Sequence, residues 1–121
     1  MPGAYRRVIG PLALRLRYSL AVPAEPPQPM TYEELLDLAR RFEGKTLETV
    51  TGKKFTVGVS SVENCPYFTP ASSGYGQTDG RKAAEKFLAR YNEIGSLHPS
   101  DYASVTRNAS YYVGLLAMRD R

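Results

Sequence analysis

Cysteine and histidine occur once each in this chain, as Cys65 and His98, and tryptophan is absent. A lone cysteine closes no internal disulfide, and one thiol with one imidazole cannot assemble the usual Cys/His set of a structural zinc site. No metal and no other cofactor is therefore expected, and the cysteine usage points to a reducing, cytoplasmic setting. Long apolar runs are missing as well. No stretch approaches the roughly 20 residues of a membrane-spanning helix, so no membrane partner is expected.

Charge of one sign is also scarce over most of the chain. The formal net charge is +4. Residues 1–29 hold Arg6, Arg7, Arg15 and Arg17 against Glu25, a balance of +3, while the rest of the chain carries twelve basic and eleven acidic residues, a balance of +1. Most of the excess thus sits in the N-terminal segment, which weakens the argument for a basic body.

That segment is set apart from the remainder of the chain. Leu12, Leu14, Leu16, Tyr18 and Leu20 alternate with Ala13, Arg15, Arg17 and Ser19, the period of a strand. Two readings stand: an edge strand guarded by its arginines, or an extension outside the folded domain. Prolines 23, 26, 27 and 29 then form a stiff extended linker. The core domain is expected at residues 30–121, with 1–29 as a basic, proline-rich lead.

Met30 opens a complete helix-start signal. Thr31-Tyr32-Glu33-Glu34 is a capping box, with Met30 and Leu35 as its hydrophobic staple. Leu35, Leu38, Ala39 and Phe42 fall on one face of a helix spanning 31–43, and Gly44 ends it. A hairpin over 45–60 comes next. Its turn is Thr51-Gly52-Lys53, and Phe55, Val57 and Val59 face one side while Lys54, Thr56 and Gly58 face the other. Tyr67-Phe68-Thr69, after Pro66, reads as a third short strand.

A second helix is expected over 80–94, with Ala84, Phe87, Leu88 and Tyr91 on its buried face, Thr78 or Asp79 as N-cap and Gly95 as its stop. A short helical piece around 101–105 and a third helix over 109–118, capped by Asn108, complete the chain; Tyr112, Leu115 and Leu116 share a face, and Gly114 marks close packing. The fold class is α+β: a small antiparallel sheet of three to four strands with three main helices packed on it.

No motif supplies catalysis. Gly74-Tyr75-Gly76-Gln77-Thr78-Asp79-Gly80 misses the dinucleotide fingerprint by one residue of spacing and lacks its subsequent strand. Gly44-Lys45-Thr46 has Ala39 where a phosphate-binding P-loop needs its first glycine. Nothing in the sequence brings Cys65 and His98 together as nucleophile and base. Asn108-Ala109-Ser110 matches the glycosylation sequon, but capping accounts for it better.

What remains is the polar segment 71–80. Its backbone amides and hydroxyls precede a helix start, an arrangement that suits phosphate. Arg81 lies in that first turn, where a cation opposes the helix dipole and so calls for another partner. The expected function is a small non-enzymatic nucleic-acid-binding or nucleic-acid-associated domain, meeting phosphates with Lys53, Lys54, Ser72, Ser73, Arg81, Lys82 and Lys86 and exposing Tyr75 beside them. The alternative is a protein-interaction module docking through the Tyr-rich loop and the C-terminal helix.

A truncated chain beginning at Met30 is expected to melt cooperatively, as monitored by circular dichroism. Failure to fold, or a destabilisation of several kcal/mol, would make the 12–20 run an integral strand.

Overall fold

The computed structural model describes residues 29–120. The alternating run 12–20 and most of the proline linker lie outside them. The element order is α1 (Tyr32–Arg41), β1 (Thr46–Glu48), β2 (Lys54–Ser60), β3 (Cys65–Pro70), α2 (Gly80–Ile94), a 3-10 turn (Pro99–Tyr102) and α3 (Ala109–Leu116). The three strands form one antiparallel sheet in the order β1-β2-β3, an α+β architecture.

The first helix starts as its sequence dictates. Thr31 Oγ1 accepts from Glu34 N at 3.1 Å, and Glu34 Oε1 accepts from Thr31 N at 2.8 Å, the reciprocal capping box. The same bond from the Thr31 amide holds the Glu34 carboxyl below its ordinary range. Leu35, Leu38, Ala39 and Phe42 are buried, with Leu36 beside them. The helix proper stops at Arg41, with Phe42 as C-cap and Gly44 at φ +80, so it ends two residues before the expected 43. Ahead of it, Asn92 of α2 grips Met30 from both sides, its Oδ1 accepting from Met30 N and its Nδ2 donating to Met30 O, each at 2.8 Å.

The hairpin register pairs Leu47 with Phe55 and Val57 with Phe68. Phe55 and Val57 are buried as the alternation requires, and Val59 packs partly buried against the same core. The third strand is longer than the three residues expected, and the reason is the placement of its prolines. Ala71 N donates to Lys54 O. Antiparallel alternation then turns the N–H groups of residues 65, 67 and 69 toward β2 and those of 66, 68 and 70 away from it. Pro66 and Pro70 occupy two of those outward positions, where a missing donor breaks no ladder bond. Phe68, the third, exchanges bonds with Gln77, N to O at 2.9 Å and O from N at 2.6 Å. Among the described residues that single bridge is all that extends the sheet past β3.

Two helix starts differ from expectation. Asp79 occupies the N-cap of α2 without capping it; Thr78 Oγ1 instead accepts from Gly80 N at 3.1 Å. Asn108 stands at the N-cap of α3, but its side chain makes no cap bond and donates to Asp79 Oδ1 at 3.4 Å. Thr106 Oγ1 donates to Asp79 Oδ2 and accepts from Asn108 N. The Asp79 carboxylate thus joins the start of α2 to the start of α3. The short helical piece lies two residues earlier than the expected 101–105, because Pro99 is pre-set for a first helical turn. The third helix ends at Leu116, with Ala117 as its C-cap, not at residue 118.

All three helices share one core with the inner face of the sheet. α2 buries Ala84, Phe87, Leu88 and Tyr91. α3 is buried on nearly every side, and Gly114 is what allows this: a Cβ there would lie 3.0 Å from the Glu48 carbonyl and from two Phe55 ring atoms.

Phe55→Ala and Phe87→Ala are each expected to lower stability by about 3–5 kcal/mol, the range for a deleted core phenylalanine, measured by denaturant unfolding. Gly114→Ala, which overpacks the same interface, is expected to cost about 1–3 kcal/mol.

Candidate functional site

The helices cover one face of the sheet, and the other carries small polar side chains. Thr56 and Ser60 of β2 and Thr69 of β3 point to it, with Lys54 at its end. One aromatic stands among them. Tyr67 pairs with Gly58 across the strands, and a Cβ at Gly58 would lie 2.7 Å from the Tyr67 ring and hydroxyl, so the ring rests directly on the β2 backbone. Gly76 lies on its other side, where a Cβ would meet the ring edge at 3.4 Å. An open groove of about 400 Å3, lined by Val59, Ser60, Ser61, Tyr67, Gly76 and Thr78, continues from the ring. The hydroxyls in it belong to the turn and the helix start: Ser60 Oγ accepts from Glu63 N at 3.1 Å, and Thr78 Oγ1 contacts Cys65 Sγ at 3.3 Å.

The sequence-predicted phosphate ligands fall into two groups. The bond from Ala71 N to Lys54 O brings Lys53 and Lys54 to the base of the loop that carries Ser72 and Ser73. Ser73 N and Gly74 N fold back onto Pro70 O, and Tyr75 N donates to Ser73 Oγ at 3.3 Å. The Tyr75 side chain is 78% exposed. Arg81 and Lys82 begin at the opposite end of β3, where Thr78 meets Cys65. The five residue steps from Cys65 to Pro70 put roughly 16 Å between the two groups along the strand. Lys86 comes after Lys82 at helical spacing, on the exposed side of α2.

Arg81 has the partners that its position demanded. Its Nε donates to Glu85 Oε2 at 3.1 Å, and its guanidinium lies 4.6 Å from the centroid of the Tyr32 ring. Asp79 also stands at this helix start, and Glu63 Oε1 lies 3.5 Å from where a Gly80 Cβ would be. A phosphate arriving here would meet two carboxylates and an arginine already paired. At the loop end the lysines have no such competition: among the described residues, Lys53 and Lys54 make no ion pair, although Glu48 is the cross-strand neighbour of Lys54.

Cys65 and His98 do not form a catalytic pair. Cys65 is wholly buried and bonded to Thr78 and Glu63, whereas His98 is exposed ahead of the 3-10 turn. Burial pushes the Cys65 thiol above its ordinary value, against the opposing effect of the Thr78 hydroxyl. Tyr32, close by, is pushed up to about 12, again chiefly by burial, and its hydroxyl donates to Asn64 O at 2.7 Å. Among the described residues no group of three or more His, Cys, Asp and Glu side chains is placed to hold a metal ion, and no helix is long and apolar enough to cross a membrane.

Sequence reasoning left the direction of Tyr67 open and did not use its two glycine neighbours. The signal was present in the strand parity, since Phe68 is committed to the core and Tyr67 must then face outward. Comparison of the chain with protein-family models, with curated proteins and with solved structures finds no match.

In the native protein Cys65 is expected to react with a thiol-specific disulfide reagent at least tenfold more slowly than in urea, because only thiolate attacks and this thiol is buried and protonated. Equal rates would place it in an accessible, activated environment.

Proposed function

We propose that the chain is a small non-enzymatic domain that binds nucleic acid, meeting phosphates where the start of β2 adjoins the 71–75 loop. The observation that carries this reading is the Ala71–Lys54 backbone bond, which brings the Lys53-Lys54 segment to the base of the loop bearing Ser72 and Ser73, with neither lysine in an ion pair among the described residues. Two ammonium groups, two hydroxyls and an exposed Tyr75 ring within one short loop region suit a phosphate-rich strand. Lys82 and Lys86 extend the positive surface along α2, while the pairing of Arg81 with Glu85 makes that end the weaker contact. A balance of only +1 after residue 29 implies modest affinity and a salt slope set by a few phosphate contacts. A cytoplasmic setting fits the single, unpaired cysteine.

Docking of a protein partner is the second reading, favoured by that same near-neutral balance. It would rely on the exposed Tyr75 loop, since α3 buries Ala109, Tyr112, Val113, Gly114, Leu115 and Leu116 and has little surface left to offer.

Lys53→Ala combined with Lys54→Ala is expected to weaken binding of a labelled oligonucleotide at low salt whatever its sequence. It is also expected to flatten the logarithmic salt dependence by about 0.7–0.9 for each phosphate no longer neutralised, while leaving the melting temperature nearly unchanged. Arg81→Ala with Lys82→Ala should flatten it less. Absence of any binding by the wild-type chain, or an unaltered slope in the Lys53/Lys54 variant, would replace this reading with the docking one.

A further inference from the structure

We infer that the outer face of the sheet is a stacking platform for an unpaired base on Tyr67, which makes the ligand single-stranded rather than duplex nucleic acid. The inference rests on the nucleic-acid reading above and names its substrate class. Across the outer face Tyr67 pairs with Gly58 on one side, and the antiparallel Phe68–Gln77 bridge sets Thr78 opposite it on the other with Gly76 diagonal to it, so among these cross-strand neighbours none is large. One side of the ring lies on the Gly58 backbone, which fixes its plane close to that of the sheet.

An aromatic ring held flat among glycines, serines and threonines offers a π surface that any base can cover. Bases in a duplex are stacked on one another and cannot reach it, whereas those of a single strand can. The groove beside the ring, lined by Ser60 and Ser61, gives the base edge hydroxyls to meet, Ser60 still having its proton to donate. Lys54 lies on the same face of β2 as Gly58, four residues or roughly 13 Å away, with Lys53 next to it. That places cations for the phosphates at the end of the platform, with Glu48 across the hairpin from Lys54. A protein partner would gain little from this face, to which β2 and β3 turn one aromatic and no aliphatic side chain.

The test is fluorescence anisotropy of the full chain with a labelled oligodeoxythymidine and with a duplex of equal length, at low salt. The wild type is expected to prefer the single strand. Tyr67→Leu, which still covers Gly58 but has no π face, is expected to weaken single-strand binding roughly tenfold, while Tyr67→Phe keeps it. Equal affinity for both probes, untouched by Tyr67→Leu, would overturn the platform and leave the phosphate reading in place. No binding of either probe would remove the phosphate reading itself. Should Tyr67→Leu fail to fold, amide NMR shifts of the wild type with oligodeoxythymidine decide: changes at Gly58, Gly76 and Thr78 uphold the platform, and changes confined elsewhere overturn it.

Discussion

The sheet is joined to the helices through a continuous line of rings. Phe55 meets Phe68 edge-on at 5.9 Å and Tyr111 at 5.1 Å; Phe68 meets Tyr112 at 4.8 Å; Tyr112 stacks on Phe87 at 4.5 Å, and Phe87 lies 4.6 Å from Tyr102. With no tryptophan in the chain, Phe and Tyr supply this bulk. The tyrosines need polar exits for their hydroxyls, and Tyr102 finds one in Ser96 O at 2.6 Å. Each pair adds about 0.5–1.5 kcal/mol beyond its buried area. The line also dictates the approach of α3, since only a glycine at position 114 lets the helix backbone come so near to Phe55 and the Glu48 carbonyl.

Because the rings draw α2 and α3 to one side, and α1 packs into the same core, the opposite side of the sheet is left mostly to small polar residues. A three-stranded sheet with an uncovered face and two edges invites unwanted pairing. On β3 that is prevented by Pro66 and Pro70, which present no donor outward, and by the Gln77 bridge that uses the one donor left between them. The same bridge holds Gly76 next to Tyr67. A device that closes the sheet edge therefore also defines one wall of the outer groove.

The polar links that fix the loop between β3 and α2 are few and specific. Asp79 accepts from Thr106 and Asn108, and Thr78 serves both Gly80 N and Cys65. These bonds occupy Gly80 N and hold the Asp79 carboxylate at the start of α2, where its charge opposes an arriving anion. They shift the electrostatic opportunity from the helix start to Lys53 and Lys54, where no carboxylate is in contact among the described residues.

Local signals in the sequence determined the elements. The capping box at Thr31, the alternation of Phe55, Val57 and Val59, and the spacing of Ala84, Phe87, Leu88 and Tyr91 each act within one turn, one strand or one helix, so they are legible without the fold. Gly95 likewise adopts the left-handed conformation of a helix stop, at φ 64. The tertiary structure alone decided which residues from different elements meet. Asp79 leaves the cap that its position suggests because α3 brings Thr106 and Asn108 within reach. Arg81 looked unpaired against the helix dipole, but Glu85 one turn on and Tyr32 from α1 both receive it. Most of the eight candidate phosphate-binding residues cluster in sequence around one loop, and the antiparallel register divided the set between the two ends of β3. Meetings of that kind depend on strand register and helix docking, which are set by the summed packing of the core and not by any short stretch of chain.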